Sequence, residues 1–329
     1  LMAVLYYLGI MQRIVQVMAW IMAKLLGTSG AESLSATANI FVGQTEAPLM
    51  IKPYIKNMTN SEILTIMVGG MATVAGGVMA AYIQILSVTF AEVMNLSLGD
   101  AQLMFATHLL GASVMAAPAG LIMSKIIYPE TEIPETRGEV KVEIEKTSSN
   151  VIEAAATGAS DGLQLALNVA AMLLAFIALI ALSNYMLEGI GNLLGVNSFL
   201  IAEYGKPLNL QFILGFVLQF LAYGIGVPWE SAMQFGSLFG TKIVLNEFVA
   251  YFDMSSLIAT KEMINEKTIL MATYALCGFA NFSSIAIQIG GLSPLAPNRK
   301  SDFAKLGLKA LVGGALSTLM TATLAGILF

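Results

Sequence analysis

Charged residues are scarce in this chain of 329 residues. Only 11% of its residues are Asp, Glu, Lys or Arg, whereas 57% are hydrophobic and the mean hydropathy is +0.78. A soluble domain averages about 25% charged residues, so this composition indicates a polytopic membrane protein with much of its surface in contact with lipid. The net charge of −5 is spread along the chain without a basic face, which argues against a nucleic-acid partner.

Histidine and cysteine are almost absent, since His108 and Cys277 are the single representatives of their types. One cysteine excludes an internal disulfide, and the two residues together leave no His/Cys metal cluster. They also provide neither an H-E-x-x-H motif nor a Cys/His or Ser/His arrangement in a matching context. We therefore do not expect an enzyme.

The start of the sequence lacks the marks of a targeting segment. It opens on Leu1 inside an apolar run, without an initiator Met, a charged n-region or a cleavage site. A signal peptide would show those features. We therefore expect an N-terminally truncated chain.

Apolar runs of about 20 residues predict the spanning helices, and the plan occurs twice. The first repeat, 1–127, is predicted to contain a span at 1–23, a re-entrant hairpin at 31–56, a broken helix at 61–90 and a span at 101–127. A polar cytoplasmic linker follows at 128–160, and the alternation over 139–143 within it is compatible with a short extended piece. The second repeat, 161–329, is predicted to contain a span at 162–187, a polar loop near 188–208, a hairpin at 229–256, a broken helix at 268–291 and a span at 308–329.

Two short turns in these apolar surroundings carry a carboxylate, one turn in each hairpin. Glu46 follows Gly43-Gln44-Thr45, and Glu247 follows Asn246. An ionisable group at membrane depth costs roughly 2.5 kcal/mol or more, so a chain keeps it where it faces a wet cavity and binds a solute or an ion. Equivalent interrupted segments in two halves are a typical sign of a transporter's midplane site.

Basic residues give the topology. If the first span ends in the cytoplasm, most of them fall inside, which obeys the positive-inside rule. The first hairpin then enters from the cytoplasm and the second from outside. The fold class that we predict is an all-α polytopic membrane protein, an inverted-repeat secondary transporter with two opposed re-entrant hairpins and two broken transmembrane helices.

Three motifs resemble a known family. They are N-I-F-V-G-Q-T-E-A-P-L at 39–49, the segment 242–251 containing L-N-E-F-V-A-Y, and G-F-A-N-F-S-S-I at 278–285. Together they are similar to the hairpins and the second broken helix of the concentrative nucleoside transporters, which import nucleosides with sodium or protons. The resemblance covers essentially the whole chain. It implies a homotrimer in the bacterial inner membrane, in which the spans at 1–23 and 162–187 belong to a scaffold and the hairpins and broken helices form a moving transport domain.

The resemblance also implies roles at matching positions. Substrate contacts are implied at Gln44, Thr45, Glu46, Val78, Glu247, Phe279, Asn281 and Ser284. Of these, Gln44 and Thr45 with Val78 and Phe279 would address the nucleobase, and Glu247, Asn281 and Ser284 the ribose, with Glu46 close by. The co-transported sodium ion would bind Asn39, Val42, Thr73 and Val74. No organic cofactor is implied.

The chemistry of these residues agrees with those roles. A glutamine side chain offers a donor and an acceptor, which suits a pyrimidine edge, and a carboxylate accepts hydroxyl hydrogen bonds strongly. Sodium prefers hard oxygen ligands, which unwound helix ends supply. We expect sodium-coupled symport of nucleosides such as uridine. Proton coupling through Glu46 or Glu247 is the alternative, and an ion channel with re-entrant segments is a more distant one.

Overall fold

A computed structural model describes residues 2–138 and 149–329, and every regular element within these two ranges is helical. The middle of the predicted linker, 139–148 with its extended alternation, lies outside the described residues. The first half contains α1 (Met2–Tyr7), α2 (Ile10–Leu26), α3 (Gly30–Ala38), a 3₁₀ helix (Ala47–Ile51), α4 (Lys52–Ile55), α5 (Asn60–Ala72), α6 (Gly76–Met94) and α7 (Leu98–Ile127). The second half contains α8 (Val151–Leu193), α9 (Val196–Tyr204), α10 (Leu210–Gly224), α11 (Trp229–Val244), α12 (Glu247–Ala259), α13 (Glu266–Leu276), α14 (Phe282–Leu292), a 3₁₀ helix (Pro297–Arg299) and α15 (Lys300–Leu328).

Three segments differ from the sequence-based expectation. In place of a linker that continues to 160, α8 already begins at Val151. In place of one helix over 1–23, the chain turns at Gly9, whose φ of 74° suits glycine, and α2 then continues to Leu26. In place of a polar loop over 188–208, α8 runs on to Leu193 and α9 follows it. The polar residues of this stretch predicted a position outside the lipid. A short helix can lie there as well as a loop can, so polarity alone did not distinguish the two.

Helices of spanning length are present on both sides of the linker. By length and composition, the stretches Asn60–Met94, Leu98–Ile127 and Pro297–Leu328 can each cross a membrane. Two further helix pairs pass the same test when each pair is taken as one span. They are Ile177–Leu193 of α8 with α9, where the chain bends by 108°, and α10 with α11, where it bends by 119°. These bent and interrupted elements fit a polytopic membrane protein with re-entrant segments.

The first halves of the two broken helices are almost completely buried in the core. Residues Ser61–Ala72 of α5 and Thr268–Leu276 of α13 are buried. Both half-helices pack on α7 and on α15. The hairpins follow the same rule, since α3 packs on α5 and α11 packs on α13. These matched contacts are those of a repeated unit.

Side-chain caps place the start of the first hairpin beside the start of α5. Ser29 and Glu32 form a capping box at α3, and Thr59 and Glu62 form another at α5. The two boxes are joined, because Ser29 Oγ donates to Glu62 Oε1 at 2.7 Å. Lys125 of α7 also binds Glu32. The first hairpin and the first broken helix therefore enter the protein from one face, fixed to each other.

Candidate binding site

The two helix breaks meet each other in the protein interior. The amide nitrogen of Phe279 donates to the carbonyl of Thr73 at 3.2 Å, which links the break after α13 to the break after α5. A Cβ at Gly278 would lie 2.9 Å from the carbonyl oxygens of Met71 and Ala72. Only glycine permits this close approach of backbones, so the sequence at 278 allows the two repeats to join at their interruptions.

Glu247 lies at this junction with its carboxylate largely buried. It begins α12, where the positive end of the helix dipole favours a negative charge, and Asn246 caps the same helix by accepting from the Val249 amide at 2.9 Å. Tyr82 donates to one carboxylate oxygen at 2.8 Å. Asn281 donates to the other at 3.3 Å. The acid therefore has hydrogen-bond partners from both repeats.

Asn281 also builds the second break. Its Oδ1 accepts from the Ser284 amide at 2.9 Å and from the Ser283 hydroxyl at 2.7 Å, which caps the start of α14. Its Nδ2 remains free to donate to Glu247. One side chain thus ends the interruption and orients the carboxylate.

Gln44 reaches the same break from the first hairpin. Its Nε2 donates to Ser284 Oγ at 3.2 Å, and its Oε1 accepts from Gln288 Nε2 at 3.1 Å. Gln288 is 1% exposed and donates as well to the Met67 carbonyl at 2.9 Å. A continuous polar chain therefore runs from Gln44 through residues 281–284 to Glu247, and it uses both repeats.

The other predicted substrate residues surround this chain at different depths. Thr45 is half-buried and lies against Gly291, where a Cβ would come within 2.6 Å of its methyl group. Val78 and Phe279 are half-buried and pack against the hydrophobic core. Glu46 is exposed, and its carboxylate accepts from the Gly43 amide within its own turn. The structure thus places Glu46 at the edge of the site.

The oxygen atoms predicted to bind sodium lie where the first hairpin meets the first break. Asn39 is fully buried, and its Oδ1 has no hydrogen-bond partner within the described ranges. A Cβ on Gly69 would lie 3.6 Å from Asn39 Nδ2, and the Thr73 hydroxyl donates to the carbonyl of the same glycine at 3.0 Å. The Phe41 carbonyl accepts from the Gly76 amide at 3.2 Å, which holds the turn containing Val42 against the start of α6.

This donor set suits a hard monovalent cation. It consists of amide, hydroxyl and carbonyl oxygens, with Val74 buried beside Thr73. Within 2–138 and 149–329, no group of three or more His, Cys, Asp or Glu side chains could hold a metal ion. An unpaired buried amide oxygen is unfavourable without a partner, and a cation would supply one.

Comparison with known proteins agrees with this geometry. Residues 108–326 match the family model described as the C-terminus of Na⁺-dependent nucleoside transporters, and residues 1–89 match a model described as nucleoside recognition. The chain belongs to the concentrative nucleoside transporter family. It is thus a nucleoside transporter of the cell membrane with several spanning segments, and its family consists of transporters rather than enzymes.

Three relatives illustrate the likeness. The chain is 44% identical to nucleoside permease NupC of Helicobacter pylori, over 99% of this chain and 72% of the relative. It is 41% identical to mouse sodium/nucleoside cotransporter 1, over its whole length and 49% of the mouse protein. The solved structure of CNTnw in an inward-facing substrate-bound state matches with a TM-score of 0.84 and 46% identity, over 99% of this chain and 72% of that one.

Sequence reasoning missed two residues that the fold of this nucleoside transporter brings to the site. Gln288 lies one helical turn after Ser284, and Tyr82 lies one turn after Val78, so each shares a helix face with a predicted site residue. Both are polar side chains within an apolar helix. A polar residue one turn beyond a predicted site residue in an apolar helix is the signal that marks both.

Proposed function

We propose that this protein is a sodium-coupled symporter that imports nucleosides such as uridine. A transport domain with both hairpins and both broken helices would alternate its access against the scaffold of a homotrimer. The observation that carries the proposal is the polar chain from Gln44 through Asn281 to Glu247, since it joins a base-recognising amide to a sugar-recognising carboxylate. The exposed apolar face of α8, with Leu167 and Leu174, suits packing in such a scaffold.

The nucleoside would lie along this polar chain. Its base would contact Gln44 and Thr45, with Val78 and Phe279 against the ring faces. Its ribose hydroxyls would bind Glu247, Asn281 and Ser284, and Glu46 would lie at the edge. A carboxylate has about four acceptor positions, so Glu247 can keep its bonds to Tyr82 and Asn281 and still accept from ribose.

Sodium would bind Asn39 Oδ1, the Thr73 hydroxyl and the carbonyls of Val42 and Val74. The Thr73 hydroxyl uses its proton on the Gly69 carbonyl, which leaves its oxygen lone pairs free for an ion. Gln44 follows Val42 closely in the same turn. An ion that orders this turn would therefore also orient the base-recognising amide, and this couples ion binding to substrate binding.

The test is uptake of tritiated uridine by proteoliposomes, with an inward sodium gradient or with choline in its place at constant pH. We expect saturable uptake that needs sodium and that is almost abolished by Glu247→Gln. The matched control is Glu230→Gln, which neutralises an exposed acid of the same hairpin and should leave uptake unchanged.

Two results would change the proposal. Equal uptake in choline would remove sodium coupling, and uptake driven by a proton gradient under those conditions would identify a proton symporter. Normal uptake by Glu247→Gln would remove Glu247 from the substrate site. Light scattering of the detergent-solubilised protein tests the trimer by its mass.

A further inference from the structure

Lys242 is a buried lysine that belongs to neither the proposed substrate site nor the proposed sodium site. It is 0% exposed in the last turn of α11. Its ammonium donates to the Ala275 carbonyl at 2.8 Å and to Thr318 Oγ1 at 3.0 Å. It also lies 5.5 Å from the centroid of the Phe239 ring. Burying an ammonium is unfavourable unless its surroundings replace the lost water, so this arrangement calls for an explanation.

The position of Lys242 in its hairpin corresponds to that of Asn39 in the other. Asn39 is the C-cap of α3, the first arm of the first hairpin, and Lys242 lies in the last turn of α11, the first arm of the second. Each is followed directly by an isoleucine, Ile40 or Ile243, and then by the turn that carries the acidic residue of its hairpin.

The partners of the two residues correspond as well. Gly69 lies as many residues beyond Thr59, the N-cap of α5, as Ala275 lies beyond Asn265, the N-cap of α13. Asn39 lies against Gly69, whose carbonyl accepts from the Thr73 hydroxyl. Lys242 donates to the Ala275 carbonyl. In both repeats, the hairpin therefore presents a polar side chain to the same turn of the buried half-helix.

The chemistry at these two places is complementary. The last carbonyls of a half-helix have no partner within the helix, and they lie at the negative end of the helix dipole. Both features favour a cation there. In the first repeat, Asn39 offers an unpaired oxygen, which cannot neutralise those carbonyls but can share a cation with them. In the second repeat, the side chain instead carries an amino group that donates to the Ala275 carbonyl directly.

We propose that the Lys242 ammonium is a resident cation at the position in the second repeat that corresponds to the sodium site of the first. Each protomer then needs sodium in its first hairpin only, and the second hairpin keeps Glu247 in place at any sodium concentration. The comparison of the Lys242 ammonium with a sodium ion rests on the sodium site of the proposed function. The contacts of Lys242 do not depend on that site.

The test is equilibrium binding of tritiated uridine to the purified full chain in nanodiscs, with sodium titrated against choline at constant pH and ionic strength. The wild type should respond to sodium with a Hill coefficient of about 1. Lys242→Asn restores an oxygen ligand like that of Asn39, so it should need a second ion, with a Hill coefficient approaching about 2. Lys242→Met supplies neither charge nor oxygen and should bind uridine about tenfold or more weakly at every sodium concentration.

Two controls separate this role from simple loss of folding. Lys261→Met removes an exposed lysine of the same chain and should change neither quantity. Thr318→Val keeps the ammonium but removes one of its two oxygen partners, so it should weaken uridine binding a few-fold while the Hill coefficient stays unchanged. The Tm of every variant is measured in parallel, and Thr318→Val provides the decision if Lys242→Asn does not fold.

The proposal is overturned if Lys242→Met binds uridine like the wild type, if folded Lys242→Asn keeps a Hill coefficient of about 1 with wild-type affinity, or if Thr318→Val leaves affinity unchanged. A wild type that ignores sodium would defeat the proposed sodium coupling instead. In that case, weak binding by folded Lys242→Met at every salt composition would still support the resident cation.

Discussion

The Tyr82 hydroxyl donates to Glu247 Oε1 at 2.8 Å and so joins α6 of the first repeat to α12 of the second. The two helices pack along each other, and the Tyr82 ring lies 5.5 Å from that of Phe248 and 4.5 Å from that of Tyr251. The carboxylate proposed to hold ribose is therefore positioned in part by the opposite repeat. A movement that separates the repeats would also disturb the substrate site.

Removing this hydroxyl should weaken substrate binding. In Tyr82→Phe, one oxygen of a buried carboxylate loses its partner, which costs about 1.5–3 kcal/mol for a hydrogen bond to a charged group. We expect uridine affinity to fall by about tenfold or more in equilibrium binding. Tyr251→Phe is the matched control, because its hydroxyl donates to the Thr273 carbonyl at 2.9 Å. Equal effects of the two substitutions would contradict a specific role for Tyr82.

Gln288 should govern the choice between nucleobases. Its Nε2 holds Gln44 Oε1, so the Gln44 amide keeps one orientation. In Gln288→Met, that amide can turn over and present either its donor or its acceptor to the base. We expect the ratio of uridine to cytidine affinity to move towards one, measured by competition against tritiated uridine. An unchanged ratio with a lower affinity for both nucleosides would assign Gln288 to packing alone.

Two adjacent glycines should differ sharply in their tolerance of a methyl group. A Cβ at Gly70 would lie 2.7 Å from Gln288 Nε2 and 2.9 Å from Gln44 Cβ, whereas a Cβ at Gly69 would meet nothing closer than 3.6 Å. Crowding of this kind costs about 1–3 kcal/mol. Gly70→Ala should therefore lower uridine affinity about tenfold, and Gly69→Ala should bind nearly as the wild type. Binding measured on both purified variants decides this, and a larger loss in Gly69→Ala would contradict it.

The Thr73 hydroxyl should determine the response to sodium. Thr73→Val keeps the shape of the side chain but removes the proposed oxygen ligand, so the sodium concentration for half-maximal uridine uptake should rise about tenfold. Thr73→Ser retains the hydroxyl and should remain close to the wild type. Sodium titration of uptake in proteoliposomes measures both. A wild-type sodium response in Thr73→Val would remove this hydroxyl from the ion site.

The sequence alone determined the class of protein and most of its elements. Low charge and long apolar runs required a membrane protein, and the glycine and asparagine interruptions marked both helix breaks. Asn246 and Asn281 show why these signals were readable. Each caps a helix through a residue close in sequence, at 2.9 Å in both cases, so the information is local.

Which side chains meet across the repeats was decided only by the tertiary structure. Tyr82 and Glu247, Gln44 and Gln288, and Lys242 and Thr318 are distant in sequence, and each pair forms one hydrogen bond. In a membrane protein, lipid and protein neighbours are both apolar, so the pattern of hydrophobic residues barely distinguishes a helix face that contacts lipid from one that contacts protein. Both glutamates in apolar segments could be found in the sequence. How the two repeats pack decides that Glu247 is buried among hydrogen-bond partners and that Glu46 lies at the edge.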